Sequence, residues 1–283
     1  MLKSIFILVF SLVFGKSIFC QNLQQTKRFA DSLFAAKNYE LAKKYYLRAL
    51  FFGNEIELFE INYSIAQSSY LQNDLVGAIQ HFETAYFLCP YDSLKHEILF
   101  QKALCFTLLN DYQSAVSELF SITDSLSTNE SKKLNYFLGI AHWGLKDYLK
   151  SKTYFIHSID STYITEKQSI EEIFKSKRLF KRPFPKLAMF MSFILPGSGQ
   201  IYAGRPKEGI NSFILTYSLA ALSINIASRL SFFDALFAVG PWYQRYYFGG
   251  AQNAKRYAIE KQNRRKFEAL SQINEIIRKC QHP

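Results

Sequence analysis

Ser198 has the setting in this chain that most resembles a reactive one, because it lies between Gly197 and Gly199. A glycine-rich segment can cradle a phosphate, but a phosphate loop ends in Gly-Lys-Ser or Gly-Lys-Thr before a helix. A nucleophile elbow needs the spacing G-x-S-x-G, whereas here the serine directly separates the two glycines. The segment therefore predicts neither kind of site, and we expect Ser198 to have no catalytic role.

Side chains that could bind a metal or form disulfides are scattered along the chain. They are His81, His96, His142, His157, Cys20, Cys89, Cys105 and Cys280. No pair has C-x-x-C spacing, and no histidine cluster accompanies the cysteines. A disulfide between Cys89 and Cys105 is conceivable in an exported domain, although we expect buried free thiols. No acid, base and nucleophile converge, so the sequence predicts no enzyme, no metal, no cofactor and no small-molecule substrate.

A fourfold internal repeat organises the first half of the chain. Small residues recur 36, 37 and 36 positions apart, at Ala42, Ala78, Ala115 and Ser151. Each follows a polar turn residue by four positions and precedes a bulky apolar residue by four. A fixed period in this range is typical of stacked helix pairs, and small residues let the two helices of a pair approach closely.

This pattern resembles the tetratricopeptide repeat, in four copies over residues 23–160, although the family's tryptophan near the start of the first helix is absent. The resemblance implies an all-α solenoid in which the first helix of each pair lines a concave groove. By register, that groove contains Phe34, Tyr63, Gln67, Tyr70, Phe100, Thr107, Tyr136 and Trp143. Recurring aromatic rings suit an extended peptide or strand of a protein partner. The alternative is that several of them pack between helices.

Residues 1–20 have the layout of a secretory signal peptide. Lys3 supplies a positive charge, and the apolar run at residues 5–14 has the length of a signal and is short for a membrane span. We expect cleavage after Cys20. An uncleaved anchor stays open because Lys16 is awkward in a signal, and a lipoprotein stays open although Phe19 fits a lipobox poorly.

Residues 161–186 form a capping helix and a basic linker in this interpretation. A helix is predicted over residues 164–180, where it would cap the last repeat. Six cations without an acid follow: Lys175, Lys177, Arg178, Lys181, Arg182 and Lys186. They indicate either a solvated linker or a juxtamembrane segment attracted to anionic lipid, and the apolar sequence that follows favours the second.

Residues 187–250 are mostly apolar and predict a helical membrane domain. Residues 210–227 contain no charge and are the best candidate for a membrane span. The stretches on either side are interrupted, the first at Pro196 and the third by Asp234, Arg245 and Pro241. Asp234 is either an intramembrane acid with a function or, as we favour, part of an interhelical turn. The alternative for the whole region is a buried hairpin of a soluble protein.

One short motif in this region is distinctive. Its key residues are Pro196, Gly197, Gly199, Gln200, Tyr202, Gly204 and Arg205. It resembles the P-G-x-G-Q/H-x-Y-x-G-R signature of TM2-type small membrane domains, and the resemblance covers residues 187–257. That resemblance implies no established chemistry. The glycines permit a tight turn and close helix approach, and we expect Gln200 and Tyr202 to satisfy backbone groups at the break.

Residues 251–283 predict a basic amphipathic helix. Its cations are Lys255, Arg256, Lys261, Arg264, Arg265, Lys266, Arg278 and Lys279, and its apolar face contains Phe267, Leu270, Ile273 and Ile277. The net charge of +11 would allow nucleic acid as a partner. Basic residues that flank a membrane segment are better explained by the positive-inside rule, so nucleic acid is disfavoured.

Topology and function follow as hypotheses. We expect three crossings of an inner membrane, which would leave the repeats periplasmic and the tail cytoplasmic, because a long domain translocates largely regardless of nearby charge. Two crossings with a re-entrant first segment would leave both on the exported side. The leading function is a membrane-anchored scaffold that recruits a protein partner at the bacterial cell envelope. The alternative is a transport or lipid-handling component in which the broken membrane helices act and the repeats regulate.

Overall fold

The computed structural model describes residues 22–122, 126–176 and 182–281, and this part of the chain is helical without any β-strand. It divides into two compact units, the first ending at Ser158 and the second beginning at Ile159. The all-α fold class predicted from the sequence is therefore confirmed. The predicted signal peptide, residues 1–20, and the linker cations at 177, 178 and 181 lie outside the described residues.

The first unit is a series of short helices. They are α1 (Leu23–Ala35), α2 (Tyr39–Ala49), α3 (Glu55–Leu71), α4 (Leu75–Leu88), α5 (Asp92–Leu108), α6 (Tyr112–Phe120), α7 (Thr128–Gly144) and α8 (Tyr148–His157). Each helix packs against the next one in the chain, and α5 also contacts α7. The order of the helices in space therefore follows their order in the sequence.

The turn inside each helix pair has the same backbone conformation four times. A non-glycine residue takes a left-handed φ of 60° to 63° at Lys37, Asn73, Asn110 and Lys146. The next residue then caps the second helix. The side chains of Asn38, Asp74, Asp111 and Asp147 each accept a hydrogen bond from the backbone N–H of the third residue of that helix. Left-handed residues end helices and Asx caps begin them. The turn conformation therefore repeats with the same period as the sequence pattern.

Small residues occupy the contacts between the helices of each pair. Ala42, Ala78, Ala115 and Ser151 are all fully buried. In the fourth pair, the Ser151 hydroxyl donates to the carbonyl of Gly139 at 2.8 Å, and a Cβ on Gly139 would lie 2.7 Å from the Phe155 ring. Large apolar side chains such as Phe82 fill the space to the neighbouring helices and are also fully buried.

The second unit contains α9 (Ile164–Lys175), α10 (Pro185–Ile194), α11 (Ser198–Tyr202), α12 (Pro206–Arg229) and α13 (Phe232–Gln281). Each of the other four helices packs against α13. The helix predicted over residues 164–180 ends at Lys175, and it packs on α13 within this unit through the fully buried Ile170. On the C-terminal part of α13, Ile273 and Ile277 are buried as the amphipathic pattern indicates, while Phe267 is exposed.

The helix α13 differs from the broken segment that the sequence indicates. It continues for 50 residues through Pro241 and through residue 250, where we placed a boundary. Pro241 lacks an N–H and leaves the Phe237 carbonyl without its helical partner, but the helix continues on both sides of it. Asp234 is exposed and lies in the first turn of α13, directly after the interhelical turn in which we expected it. Its N–H bonds the Ser231 hydroxyl at 3.1 Å, and its carboxylate accepts from that hydroxyl at 2.8 Å.

Candidate functional site

The glycine motif forms the junction between α10, α11 and α12. Gly197 has φ of 92°, a left-handed conformation that glycine adopts without strain. A Cβ on Gly197 would overlap the carbonyl oxygen of Gly209 in α12. Gly209 in turn has no room for a side chain, because its Cβ would lie 2.6 Å from Ile201. These two glycines therefore let the backbones of α11 and α12 meet directly.

Gly199 lets α11 meet α10 in the same way. A Cβ there would overlap the carbonyl oxygen of Ala188 and would lie 2.5 Å from the Ser192 hydroxyl. The Gly199 N–H instead donates to that hydroxyl at 3.1 Å. The two helices are thus joined here by a hydrogen bond from a backbone N–H to a side-chain hydroxyl, without side-chain packing. Any larger residue at 199 would push α10 and α11 apart.

Gln200 connects this junction to α13. Its Oε1 accepts from the Ser192 hydroxyl at 2.8 Å, and its Nε2 donates to the carbonyl of Gly250 at 2.9 Å. Gln200 and Ser192 are 2% and 1% exposed, so both polar side chains are satisfied inside the protein, where an unpaired amide would be costly. The amide of Gln200 therefore links three helices: α10, α11 and α13.

The backbone groups freed at the break are satisfied differently from our expectation. The Ser198 hydroxyl bonds the carbonyls of Met191 and Leu195, at 2.7 and 2.8 Å, where α10 ends. Tyr202 satisfies a more distant group, since its hydroxyl accepts from the N–H of Phe184 at 3.1 Å. Ser198 thus has a structural role, and Gln200 and Tyr202 act on backbone groups outside the break.

The last residues of the motif lie at the start of α12. Gly204 is left-handed, with φ of 87°. Arg205 forms ion pairs with Glu208 at 3.3 Å and Glu260 at 3.9 Å, and its guanidinium lies 5.4 Å from the centre of the Tyr257 ring. Buried Pro196 at the other end completes the motif. The structure thus brings the seven predicted motif residues into one helical junction that extends from α10 to the base of α12.

A cavity of 380 Å³ with a mixed polar and apolar lining lies beside this junction. Gln200, Asn211 and Asn253 are among the residues that line it, together with Glu208 and Arg245. Sequence analysis treated Arg245 only as an interruption of an apolar stretch. Its place in the cavity depends on the alignment of α12 with α13, which local sequence patterns do not reveal.

The surface of α12 and of the first part of α13 is strongly apolar. Exposed side chains include Ile210, Phe213, Ile214, Leu215, Leu222, Ile224, Leu230, Phe232, Phe233, Leu236, Phe237, Trp242 and Phe248. Among the described residues, α12 is the one helix that is long and apolar enough to cross a membrane, and only 6% of its most apolar window is buried. The alternative of a hairpin buried within this chain is therefore wrong. Large exposed apolar surfaces indicate a membrane or a partner.

In the first unit, charged side chains connect the first helices of successive pairs. Lys27 on α1 lies 3.3 Å from Glu60 on α3, and Lys133 on α7 pairs with Glu97 on α5. Burial, and then the nearby charge of Glu97, raises the pKa of Tyr63 on α3. These contacts place α1, α3, α5 and α7 side by side, and we call the surface they share the inner face.

The predicted groove residues divide into two groups. Phe34, Tyr63, Gln67, Tyr70, Thr107 and Tyr136 are half-buried. Phe100 and Trp143 are only 2% and 9% exposed and belong to the core, which corrects their assignment to the groove. Phe100 packs against Phe137, and Trp143 packs edge-on against Tyr148. Phe100 and Trp143 stand at the same positions of the repeat as the half-buried Tyr63 and Tyr70, so the period alone does not distinguish a buried ring from a half-buried one.

A buried lysine in the first unit was not anticipated. Lys102 is 3% exposed and forms ion pairs with Glu83 on α4 and with Glu118 on α6, the latter at 2.9 Å. Lys102 directly precedes the fully buried Ala103 on α5. A buried lysine needs such partners, and the three side chains connect α4, α5 and α6.

Metal and thiol chemistry has no support in the described residues. No group of three histidine, cysteine or acidic side chains in them could hold a metal ion. Cys89 and Cys105 are buried free thiols, and burial raises the pKa of Cys105 to about 11, which suppresses its reactive thiolate. His142 is buried without a hydrogen-bond partner at either ring nitrogen, and burial lowers its pKa.

Comparison of the chain with protein-family models, with curated proteins and with solved structures finds no match.

Proposed function

We propose that the chain is a non-catalytic, membrane-anchored scaffold whose first unit is a tetratricopeptide-type solenoid that binds a protein or peptide partner at the cell envelope. The observation that carries the anchoring is the exposed apolar surface of α12 and α13. The fourfold turn and the inner face support the solenoid, since tetratricopeptide proteins bind partners along the first helices of their pairs.

The hairpin of α12 and α13 is the membrane anchor in this proposal. With 24 residues, α12 is about 36 Å long, enough for a hydrocarbon core of about 30 Å. The helix α13 packs along it after a short turn at residues 230–231. Arg229, at the end of α12, and Asp234, in the first turn of α13, flank that turn and would then emerge on the far side of the bilayer.

This arrangement favours two crossings over the three that we expected from the sequence. The first apolar stretch forms only the ten-residue helix α10, which is about 15 Å long and spans half a bilayer. It packs on α13 beside the hairpin and serves as a re-entrant segment. Residues 1–20 would export the repeats, because a long domain translocates largely regardless of nearby charge. The tail after residue 250 then shares the periplasmic side with the repeats.

Cys280 offers a direct test of this topology. It is half-buried, whereas Cys89 and Cys105 are buried, so a membrane-impermeant maleimide would select it over the other two. Burial, and then Glu166 and Asp160, raises the pKa of Cys280, so labelling should be done near pH 8.5. We expect labelling in intact spheroplasts, together with protease cleavage of the repeats, and its loss in Cys280→Ser. Cleaved repeats with a tail labelled only after permeabilisation would restore three crossings.

Photocrosslinking in cells would test the inner face. A photoreactive residue at position 67, which is half-buried on α3, is compared with one at Lys44, which is mostly exposed on α2. We expect one discrete adduct from position 67 and none from position 44. Adducts of equal yield from both positions would contradict a partner bound along the inner face.

The alternative function, transport or lipid handling, has its own supporting observation in the 380 Å³ cavity between α12 and α13, whose lining includes Gln200, Asn211 and Arg245. If that cavity carries out transport or lipid handling, Asn211→Leu should abolish the ability of the protein to complement a deletion strain, while crosslinking at position 67 is retained. If the scaffold function holds, the same variant should leave both unchanged.

A further inference from the structure

A second, basic pocket of 300 Å³ lies where Gly204 and Arg205 lead into α12. Besides these two residues, Tyr257, Glu260, Lys261 and Arg264 of α13 line it. The pocket combines the last two residues of the glycine motif with side chains more than fifty positions later in the chain. None of the roles described above requires it.

Lys261 is the central side chain of this pocket. Its ammonium rests against Gly204, where a Cβ would overlap it. It forms no ion pair with any residue that the structure describes. Burial, and then the charges of Arg265 and Arg264, lowers its pKa. Gly204 therefore makes room for a cation that the protein itself does not neutralise.

The arginines in and beside the pocket are held by neighbouring side chains. The guanidinium groups of Arg205, which lines the pocket, and of Arg256, which lies next to it, are 5.4 and 5.3 Å from the centre of the Tyr257 ring. Both pair with Glu260, at 3.9 and 3.6 Å, and Arg205 also pairs with Glu208 at 3.3 Å.

The lining of the pocket carries more positive than negative charge. It contains three cations, Arg205, Lys261 and Arg264, and one acid, Glu260. Arg264 pairs with Glu268 at 3.7 Å, outside the lining, so among the described residues Lys261 is the lining cation left without an ion pair. That surplus of positive charge suits a ligand with an anionic group.

The position of the pocket selects the kind of anion. It lies at the first residue of α12 and therefore at the end of the apolar hairpin opposite the turn at residues 230–231. In the proposed membrane orientation, this end is at the level of the lipid headgroups. The positive end of the α12 dipole points the same way and favours a negative group there.

We propose that this pocket binds the phosphate of an anionic phospholipid, with Lys261, Arg264 and Arg205 as its ligands. The inference rests on the proposed membrane insertion of the hairpin. It gives a function to Gly204 and Arg205, the end of the motif that takes no part in the backbone contacts made by Gly197, Gly199 and Gly209.

Native mass spectrometry of the full chain in neutral detergent tests this proposal. Phosphatidylglycerol and phosphatidylcholine are titrated separately, and the variant Lys261→Gln/Arg264→Gln is compared with the wild type. The matched control is Lys207→Gln/Lys255→Gln, which removes two exposed lysines near the same end of the hairpin that do not line the pocket. We expect phosphatidylglycerol to bind the wild type and the control within about threefold of each other, and the pocket variant on the order of tenfold more weakly.

Three outcomes would overturn the proposal. Equal loss in both double variants would mean general attraction to anionic lipid, and no loss would mean that the pocket is not used. Competition by inorganic phosphate at low millimolar concentration would mean a soluble anion as the ligand. Insertion of each variant into phosphatidylcholine vesicles is measured in parallel. Failure there would count against the membrane anchor itself, whereas insertion with unchanged lipid preference counts only against the pocket.

Discussion

The two units of this protein use small residues and apolar side chains in opposite ways. In the first unit, small residues, mostly alanines, let the helices of each pair pack closely, and large side chains such as Phe82 and Phe155 fill a buried core. In the second unit, glycines bring backbones into contact at the α10–α11–α12 junction, and polar Ser192 and Gln200 are buried while large apolar residues face outward. The first arrangement is stable in water by burial of its own side chains. The second leaves a large apolar surface uncovered, which an apolar environment such as the proposed membrane would cover.

The largest effect should follow from filling the backbone contact of the second unit. Gly199→Val places branched carbons where the Ala188 carbonyl lies, so we expect a loss of more than about 3 kcal/mol in stability. Thermal unfolding of the full chain in detergent measures this. Gly249→Ala is the control, since nothing lies within 4 Å of its Cβ, and a similar loss there would refute backbone contact as the cause.

The next largest effect is expected from truncating a phenylalanine, which should cost much more stability in the first unit than in the second. Phe82→Ala removes a fully buried ring and should cost about 3–5 kcal/mol. Phe237→Ala removes a ring that is 77% exposed and should cost less than about 1 kcal/mol in detergent. Urea unfolding followed by Trp143 fluorescence in a Trp242→Phe background reports on the first unit. A large effect of Phe237→Ala on the second unit would mean that the hairpin has a partner within the fold.

The caps of the first unit should make its stability depend on pH. The Lys43 ammonium, and then the Gly77 N–H, holds the pKa of Asp74 below its usual range. Its contribution is therefore present above about pH 4 and is lost as the pH falls through the lowered pKa. Asp74→Asn keeps a cap without the charge, and the carboxylate is 46% exposed. We expect a loss of only about 0.5–1 kcal/mol at pH 7, and a loss that shrinks as the pH falls below about 4 through the lowered pKa. A loss that stays the same throughout this acid range would exclude the charge as the cause.

The smallest effect is expected at the fourth repeat. Ser151→Ala restores the alanine found at the equivalent position of the other three repeats and leaves the Gly139 carbonyl only its helical hydrogen bond. We expect the free energy of unfolding to change by less than about 1 kcal/mol. The same urea measurement checks this, and a loss above about 2 kcal/mol would show that the fourth pair depends on a polar contact that the others lack.

The repeat pattern could be read from the sequence because all of its determinants are local. A polar cap such as Asp74 and a small residue such as Ala78 lie within one helical turn of each other, so periodicity reveals them. The left-handed turn residues gave only a partial signal, since Asn73 and Asn110 favour this conformation whereas Lys37 and Lys146 rarely adopt it. Equally, the period did not separate the buried Phe100 from the half-buried Tyr63.

The second unit was less predictable because its contacts are between distant residues. Gln200 bonds a carbonyl fifty positions later, and Gly204 meets Lys261. The motif therefore indicated close helix approach without indicating which helices meet. The continuity of α13 through Pro241 also depended on context, because proline in a helix interior ordinarily predicts an interruption.

Because α13 is long, the cations of the basic tail lie at very different distances from the bilayer in the proposed orientation. Its 50 residues span about 75 Å. In the proposed orientation the helix leaves the bilayer near residue 250, and Arg278 and Lys279 lie roughly 40 Å farther out. Charges are screened over about 8 Å at physiological ionic strength. Lys255 would therefore sense lipid charge, while the last two cations would be electrically remote from the membrane. Lys279 is already neutralised by Glu275 at 3.1 Å.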